Sequence, residues 1–332
     1  MAKQVQTVMG PIDVEQLGVT QAHEHLYFDC EYLYERAWPN KVFSSEKVTA
    51  QNRGEVMTDL QTVLYKYGDN LLFDDTDMII DELADFKAAG GQTIFEVTTV
   101  DLGRDPWKLR RIAEKTGLNI VMGSTYYHFP SLPPQTKEWL LNKGVNGLAD
   151  HFIRELCEGV AGTGIRPGVL GEIGPGEGEE STNMILHAAA IASRETGVPA
   201  IIHYANMDVL RIFEEEGADP RKLVMGHWGL EFPVDEAIRH GAMISFDQFG
   251  MNFPGIKSDD ERLKEVVTMM ERGYEDHLIL SQDMCWKIRL RCCGGDGYGH
   301  LLGTIVPKLK EMGVTDEQVR KMMTENVKTL FA

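Results

Sequence analysis

Eight times along this chain a short run rich in valine, isoleucine and other strand formers is followed by a stretch with helical periodicity, and few folds accommodate that alternation. The expected strands run over Val19–Leu26, Thr93–Thr99, Asn119–Thr125, Gly168–Ile173, Ala200–Tyr204, Leu223–His227, Ala242–Asp247 and Leu278–Asp283. Most are apolar through the middle and end on a polar or ionisable residue. Continuous apolar character suits strands covered on both faces, as in a parallel sheet packed with helices. The helical candidates are Val56–Lys66, Thr76–Ala89, Pro106–Lys115, Lys137–Ala161, Thr182–Glu195, Met207–Glu216, Val234–His240 and Asp259–Arg272, and several close on a glycine, as at Gly90, Gly197 and Gly241. Repeated strand-then-helix units with right-handed crossovers close most naturally into a barrel. An open doubly wound sheet is the alternative, but no GxGxxG fingerprint follows the first strand. The expectation is therefore an α/β chain forming a (β/α)8 TIM barrel, with a hairpin-like extension before the first strand. A loop over Lys287–Gly299 and helices over Tyr298–Met312 and Asp316–Thr329 follow the eighth. At 332 residues, without linker, repeat or low-complexity tract, residues 1–332 read as one barrel domain.

Composition narrows the partners. Against 33 Lys+Arg stand 51 Asp+Glu, a formal net charge of -18, which disfavours a nucleic-acid backbone as ligand. No apolar run reaches the ~20 residues that span a bilayer, and the opening MAKQVQTVMG has no signal-peptide core. The five cysteines, Cys30, Cys157, Cys285, Cys292 and Cys293, form no CxxC pair and are expected as reduced thiols. A cytoplasmic enzyme acting on a small molecule, with no membrane partner and a homodimer as an open possibility, fits these features.

In a barrel of this kind the active site lies at the C-terminal ends of the strands. His23 and His25 stand two apart near the end of the first strand, a spacing that turns both side chains to one face. Glu172 ends the fourth strand, His203 the fifth, His227 the sixth and Asp283 the eighth. Four histidines and two carboxylates would thus converge on one small volume, where buried charge is costly unless a metal offsets it. Imidazole and carboxylate together suit Zn, Mn, Co or Fe. Six ligands exceed one tetrahedral ion, so two divalent transition-metal ions, about 3.5–4 Å apart and with zinc foremost, are the expected cofactors. His151, His187, His240 and His277 fall away from the mouth and read as surface or interhelical residues, and His300 as structural or as support behind the ligands. His128, just past the third strand, is a candidate substrate contact. Lys287, Arg289 and Arg291 crowd the loop after the eighth strand and form a candidate patch for a carboxylate or phosphate, with a solvated loop as the plain alternative.

Beyond this reading, the chain resembles the phosphotriesterase-like family of the amidohydrolase superfamily. The matching features are Gly10-Pro11-Ile12 to Leu17-Gly18, His23-Glu24-His25, His203, Gly226-His227, Asp283 and Gly294-Gly295-Asp296-Gly297-Tyr298, spread over nearly the whole chain. Most of the family bridges its metals with a carboxylated lysine. Here Glu172, in Gly171-Glu172-Ile173-Gly174 followed by Glu177-Gly178, resembles the phosphotriesterase homology protein branch, which bridges with glutamate. The resemblance implies that His23, His25 and Asp283 hold the more buried metal, and His203 and His227 the more exposed one. It also implies that Tyr127 lies against the substrate. The implied reaction is attack by a metal-bridging hydroxide on a small ester, lactone, including a phosphorylated sugar lactone, or phosphoester, with Asp283 carrying the proton to the leaving group. Two rivals remain at this level. A metal-dependent nuclease of the TatD type has a similar HxH and Gly-Glu-Ile-Gly pattern, but the acidic balance and Ser281-Gln282-Asp283-Met284 speak against it. A catalytically silent metal-binding barrel is the other, disfavoured by the intact ligand set.

Overall fold

A computed structural model of the chain describes residues 3–30, 43–59, 62–63, 66–174, 180–203 and 206–332. Tyr204, the expected end of the fifth strand, and the Glu177-Gly178 pair lie outside the described residues.

Eight strands, Thr20–Glu24, Thr93–Glu96, Asn119–Ser124, Val169–Ile173, Ala200–Ile202, Leu223–Met225, Met243–Phe246 and Leu278–Leu280, pair in chain order as one parallel sheet. Strand eight meets strand one through side-chain bonds and a backbone bond rather than a regular ladder. The Ser281 hydroxyl lies 3.0 Å from the His23 carbonyl and 2.7 Å from Glu24 Oε1, and the Asp283 amide donates to the His23 carbonyl at 3.0 Å. Gln21 donates to Gln282 Oε1 at 3.1 Å on the same seam. With helices outside, the result is a (β/α)8 barrel.

Strand alternation sorts the apolar residues into two layers. Ala22, Phe95, Val121, Val169, Ile201, Val224, Met243 and Ile279, one from each strand, pack together inside the barrel. Val5, Val14 and Leu17 from the N-terminal segment and Val327 and Leu330 from the C-terminal one join this cluster and stopper the base. The other parity, including Ile94, Ile120, Leu170, Ile202, Met225, Ile244 and Leu280, packs outward with residues of the surrounding helices and loops. The expected N-terminal hairpin is present as Gln4–Thr7 against Gly10–Asp13.

Several strands stop earlier than the apolar runs suggest. His227 and Asp283 have φ of 58° and 47°, in the left-handed region, so the chain leaves the extended conformation just where these side chains are presented. Local side chains also fix the helix starts. Asp105 caps Pro106–Thr116, Asn206 caps Met207–Glu215, and Ser258 forms a capping box with Glu261 at Asp259–Glu271.

Two expected helices differ. The long one runs Pro134–Glu158 and is broken at Gly144, whose φ of 61° interrupts the helical path. The expected helix Val56–Lys66 is interrupted: a short helix, Arg53–Val56, ends at the first residue of that span, and among the described residues of the span Thr62 and Val63 are helical again. Thr58 bonds back to the Glu55 carbonyl at 2.7 Å, and Asp59 accepts from the Thr62 amide at 2.8 Å, a local side-chain cap that competes with continuation. Residues 60, 61, 64 and 65 of that span lie outside the described set. After the eighth strand come helical stretches over Leu301–Glu311 and Asp316–Thr329. Among the described residues no helix is long and apolar enough to cross a membrane.

Candidate metal centre

The apolar layer ends one step below the mouth, and ionisable side chains take over. His23, His25, Glu172, His203, His227 and Asp283 all meet there, as their strand positions suggested. A register shift between Gln21 and Glu24 in the pairing of strands one and two lets Ala22 point into the apolar layer while His23 and His25 both reach the mouth. The side chain of Glu24 turns to the seam instead, accepting from Ser281 and from the amides of Gln282 and Met284 at 2.7–2.9 Å. Burial pushes its carboxyl up to about 7 against these hydrogen bonds.

Glu172 is the centre of the cluster. One oxygen lies 3.0 Å from His23 Nε2 and 2.8 Å from His203 Nδ1, and the other lies 3.2 Å from His25 Nε2. Asp283 stands on the far side, 3.3 Å from His25 Nε2 and 3.5 Å from His227 Nε2. His227 Nε2 and His203 Nδ1 face each other at 2.8 Å. Two groups have donor atoms all within 4.8 Å of one another: His23, Glu172, His203 and His227, and His23, His25 and Asp283. They share His23, and the second coincides with the set expected for the buried metal.

The electrostatics suit a cation. Burial would push Glu172 up, yet His203, His23 and His25 hold it well below the usual carboxylate range. Burial would lower His25, but Asp283 and Glu172 outweigh it and raise it to about 10. Without metal, the anionic side chains thus hold positive charge on His23 and His25, while burial and the neighbouring His227 lower His203. With metal, that charge has a stronger carrier, and nitrogen and oxygen donors in this mixture fit a divalent transition metal.

Behind the ligands sits a supporting layer. His25 Nδ1 lies 2.8 Å from Thr98 Oγ1, and Thr98 donates to Glu96 at 2.5 Å, which turns His25 Nε2 to the centre. Burial raises Glu96 to about 7, opposed chiefly by His25. Asp247 is the residue that sequence reasoning missed. Its Oδ1 accepts from the amide of His227 at 2.9 Å and lies 2.7 Å from His227 Nδ1, and its Oδ2 lies 2.9 Å from His23 Nδ1. One carboxylate thereby orients an imidazole from each donor group, the usual arrangement behind metal-bound histidine. The signal was available, since Asp247 ends the seventh expected strand.

The expected substrate contacts divide. Tyr127 stands with its ring edge-on to His203, centroids 5.0 Å apart, so it borders the centre. His128 follows it, with ring centroids 6.2 Å apart. Asp101 fixes both by accepting from the Tyr127 amide at 2.9 Å and the His128 amide at 3.2 Å. The three cations after the eighth strand are not brought to the cluster. Lys287 is buried and pairs with Asp69 at 2.9 Å. Arg289 is buried and donates to the carbonyls of Gln282, Asp283 and Phe249 at 2.5–2.8 Å. Arg291 pairs with Asp85 at 2.8 Å and donates to the Asp81 carbonyl at 2.6 Å. These contacts make the three residues braces of the loop and not an open anion patch. His300 also braces, 2.8 Å from Asp259.

A model described as the phosphotriesterase family matches residues 3–331. An N-acetyltaurine hydrolase of Tetraodon nigroviridis is 34% identical, over 99% of this chain and 97% of its own. Among solved structures, a resiniferatoxin-binding protein of Rhodobacter sphaeroides superposes with a TM-score of 0.89 at 32% identity, covering 99% of this chain and 95% of its own. The phosphotriesterase homology protein of Escherichia coli, complexed with phosphate in its active site, gives a TM-score of 0.79 at 25% identity, covering 96% and 99%.

Proposed function

The chain belongs to the phosphotriesterase family, and from that premise we propose that it is a binuclear metal-dependent hydrolase of small acyl compounds. The bond cleaved is a carbonyl–heteroatom bond, an amide foremost, with esters and lactones, phosphorylated sugar lactones included, in the same class. The observation that carries this reading is the position of Glu172, in contact with three histidines and lying between two donor groups that share His23. Glu172 would bridge the ions, His23, His25 and Asp283 would hold the inner one, and His203 and His227 the outer one. When bound, two such cations supply an acidified water and polarise the oxygen of the scissile group.

The chain's own residues supply the rest. Asp283, wedged between His25 and His227, is placed to accept a proton from the nucleophile and hand it to the leaving group. An amide needs that hand-off most, because an amine leaves only when protonated. Among the ligands the His203 side chain is 19% exposed, against 5% or less for the others, so substrate approaches from its side, past Tyr127. The name of the 34% identical relative supports an amide with a small anionic tail. A phosphoester is the second reading, favoured by the phosphate in the active site of the Escherichia coli neighbour.

Zinc is the expected metal, with manganese, cobalt and iron as alternatives. The test is metal analysis of the purified protein, followed by turnover of N-acetyl amino sulfonates and amino acids, plain and phosphorylated sugar lactones, aryl phosphodiesters and single-stranded DNA. About two ions per chain and fastest turnover of an acyl substrate are expected. Folded protein carrying at most one ion would defeat the binuclear reading, and turnover confined to phosphodiesters or DNA would defeat the acyl one. Because glutamate is a carboxylate as made, reconstitution with metal should not depend on bicarbonate.

A further inference from the structure

Arg262, on the helix Asp259–Glu271, is only 3% exposed, and neither Nη1 nor Nη2 has a hydrogen-bond partner among the described residues. A buried guanidinium so placed is costly. The nearest carboxylate, Asp259, lies 3.6 Å away and is occupied by the Gly250 amide, Asn252 and His300. Arg262 lines a cavity of about 20 Å³ together with His227, Trp228, Asp247, Gln248 and Lys257. Asp247 Oδ2 faces His23 Nδ1 at 2.9 Å, and a carboxylate oxygen with two lone pairs has room to accept one further donor.

The size and the charge of this space select its occupant. About 10–15 Å³ of space for a water-sized sphere suffices for one water. Three carboxylates, Glu231, Asp247 and Glu265, line it against two cations, Arg262 and Lys257, so an anion is disfavoured. A water is neutral, accepts from a guanidinium and donates to a carboxylate. Lys257 closes the outer side by pairing with Glu231 and with Glu265.

We propose that this cavity is a built-in water site and that Arg262, acting through that water on Asp247, is a positioning residue for His23 and His227. The inference rests on the metal-centre reading above. Arg262 does not touch the reacting atoms. It completes the coordination of the carboxylate that orients one imidazole in each donor group.

The test uses metal-loaded wild type, Arg262→Met and Arg262→Lys, with metal retention during dialysis against a chelator, kcat and KM, and Tm. Arg262→Met should weaken metal retention about 10-fold or more, the scale seen for outer partners of metal-bound histidine, and lower kcat with KM nearly unchanged. Arg262→Lys should recover most of both. If Arg262→Met raises Tm and keeps its metal like wild type, the cavity is dry, the arginine an unpaired charge, and the proposal fails. A wild-type crystal structure decides independently of folding in the variants: water density bonded to Arg262 and Asp247 is expected, while an empty cavity, or bromide density after soaking, overturns the proposal. Wild type that holds no metal would sink the metal-centre reading instead, with the density and Tm still deciding the water.

Discussion

At the base of the barrel each strand contributes one apolar side chain to a packed layer closed by Val5, Val14, Leu17, Val327 and Leu330, whereas at the mouth five of those strands bring histidines and carboxylates together. The base is ordinary close packing, in which every buried methylene adds to stability. The mouth works against stability. It gathers Glu172, Asp247 and Asp283 with four histidines at 19% side-chain exposure or less, and it holds His227 and Asp283 at positive φ. A layer of that kind persists because the apolar layer beneath and the braces beside it, Arg289 among them, over-determine its geometry. Stability and chemistry are therefore carried by different residues of the same strands, and substitutions should separate the two.

The largest effect should come at the mouth. Glu172→Gln leaves a neutral amide between two donor groups that would carry close dications, so metal and hydrolysis should be lost together while the fold survives. Metal analysis with circular dichroism checks this. A variant that keeps two ions and full activity would remove Glu172 from the centre. At the base the expectation is the reverse. Leu330 is fully buried, and Leu330→Ala should cost about 2–5 kcal/mol of stability by opening a cavity, with metal content unchanged in the folded protein. Denaturant unfolding read beside metal analysis would break the comparison if Leu330→Ala also emptied the centre.

The contrast also explains what could be read from the chain. Strand parity and strand-end position are short-range properties, so the eight strands and the six meeting side chains were legible from residue order. Asp247 obeyed the same rule, but it stands behind His227 and His23 and not among the meeting ligands, a distinction that strand-end position alone does not draw. Arg262 was not legible, since its burial depends on how a helix face docks over the sixth and seventh strand ends. Lys287, Arg289 and Arg291 show the limit most clearly. Their charge was plain, but their acceptors, Asp69, the carbonyls of Gln282 and Asp283, and Asp85, are set by loop packing. The expected helix Val56–Lys66 is interrupted for a local reason, since Asp59 caps a new helical start at Thr62 and Val63, and apolar periodicity does not register that break.

A smaller effect is expected for Asp283→Asn. The side chain keeps its shape, so the strand end and most of the packing survive, but proton transfer is lost. Turnover should fall by ~10²-fold or more, the usual scale for a missing general acid/base. The loss should be steeper for an amide than for an ester with a good leaving group, because only the amide requires protonation as it departs. Equal losses on both would mean that Asp283 acts on the nucleophile alone.

The smallest effect should be at Arg291, which tests where the mouth ends. Its side chain is 36% exposed, and its partners Asp85, Glu82 and the Asp81 carbonyl belong to the helices before the second strand. The Asp85 pair is exposed, and pairs of this kind contribute about 0–1 kcal/mol, because water screens the charges and two long side chains lose freedom in holding one geometry. Buried Glu82 keeps the amides of Arg291 and Cys292 as donors. Arg291→Gln should therefore lower stability by no more than about 1 kcal/mol. It should also leave KM equal to wild type for an anionic substrate and for its neutral analogue. If KM instead rose for the anionic substrate only, Arg291 would have to leave Asp85 during binding. The functional end of the barrel would then extend over the loop after the eighth strand, and the division between bracing and chemistry would be less sharp there than its contacts indicate.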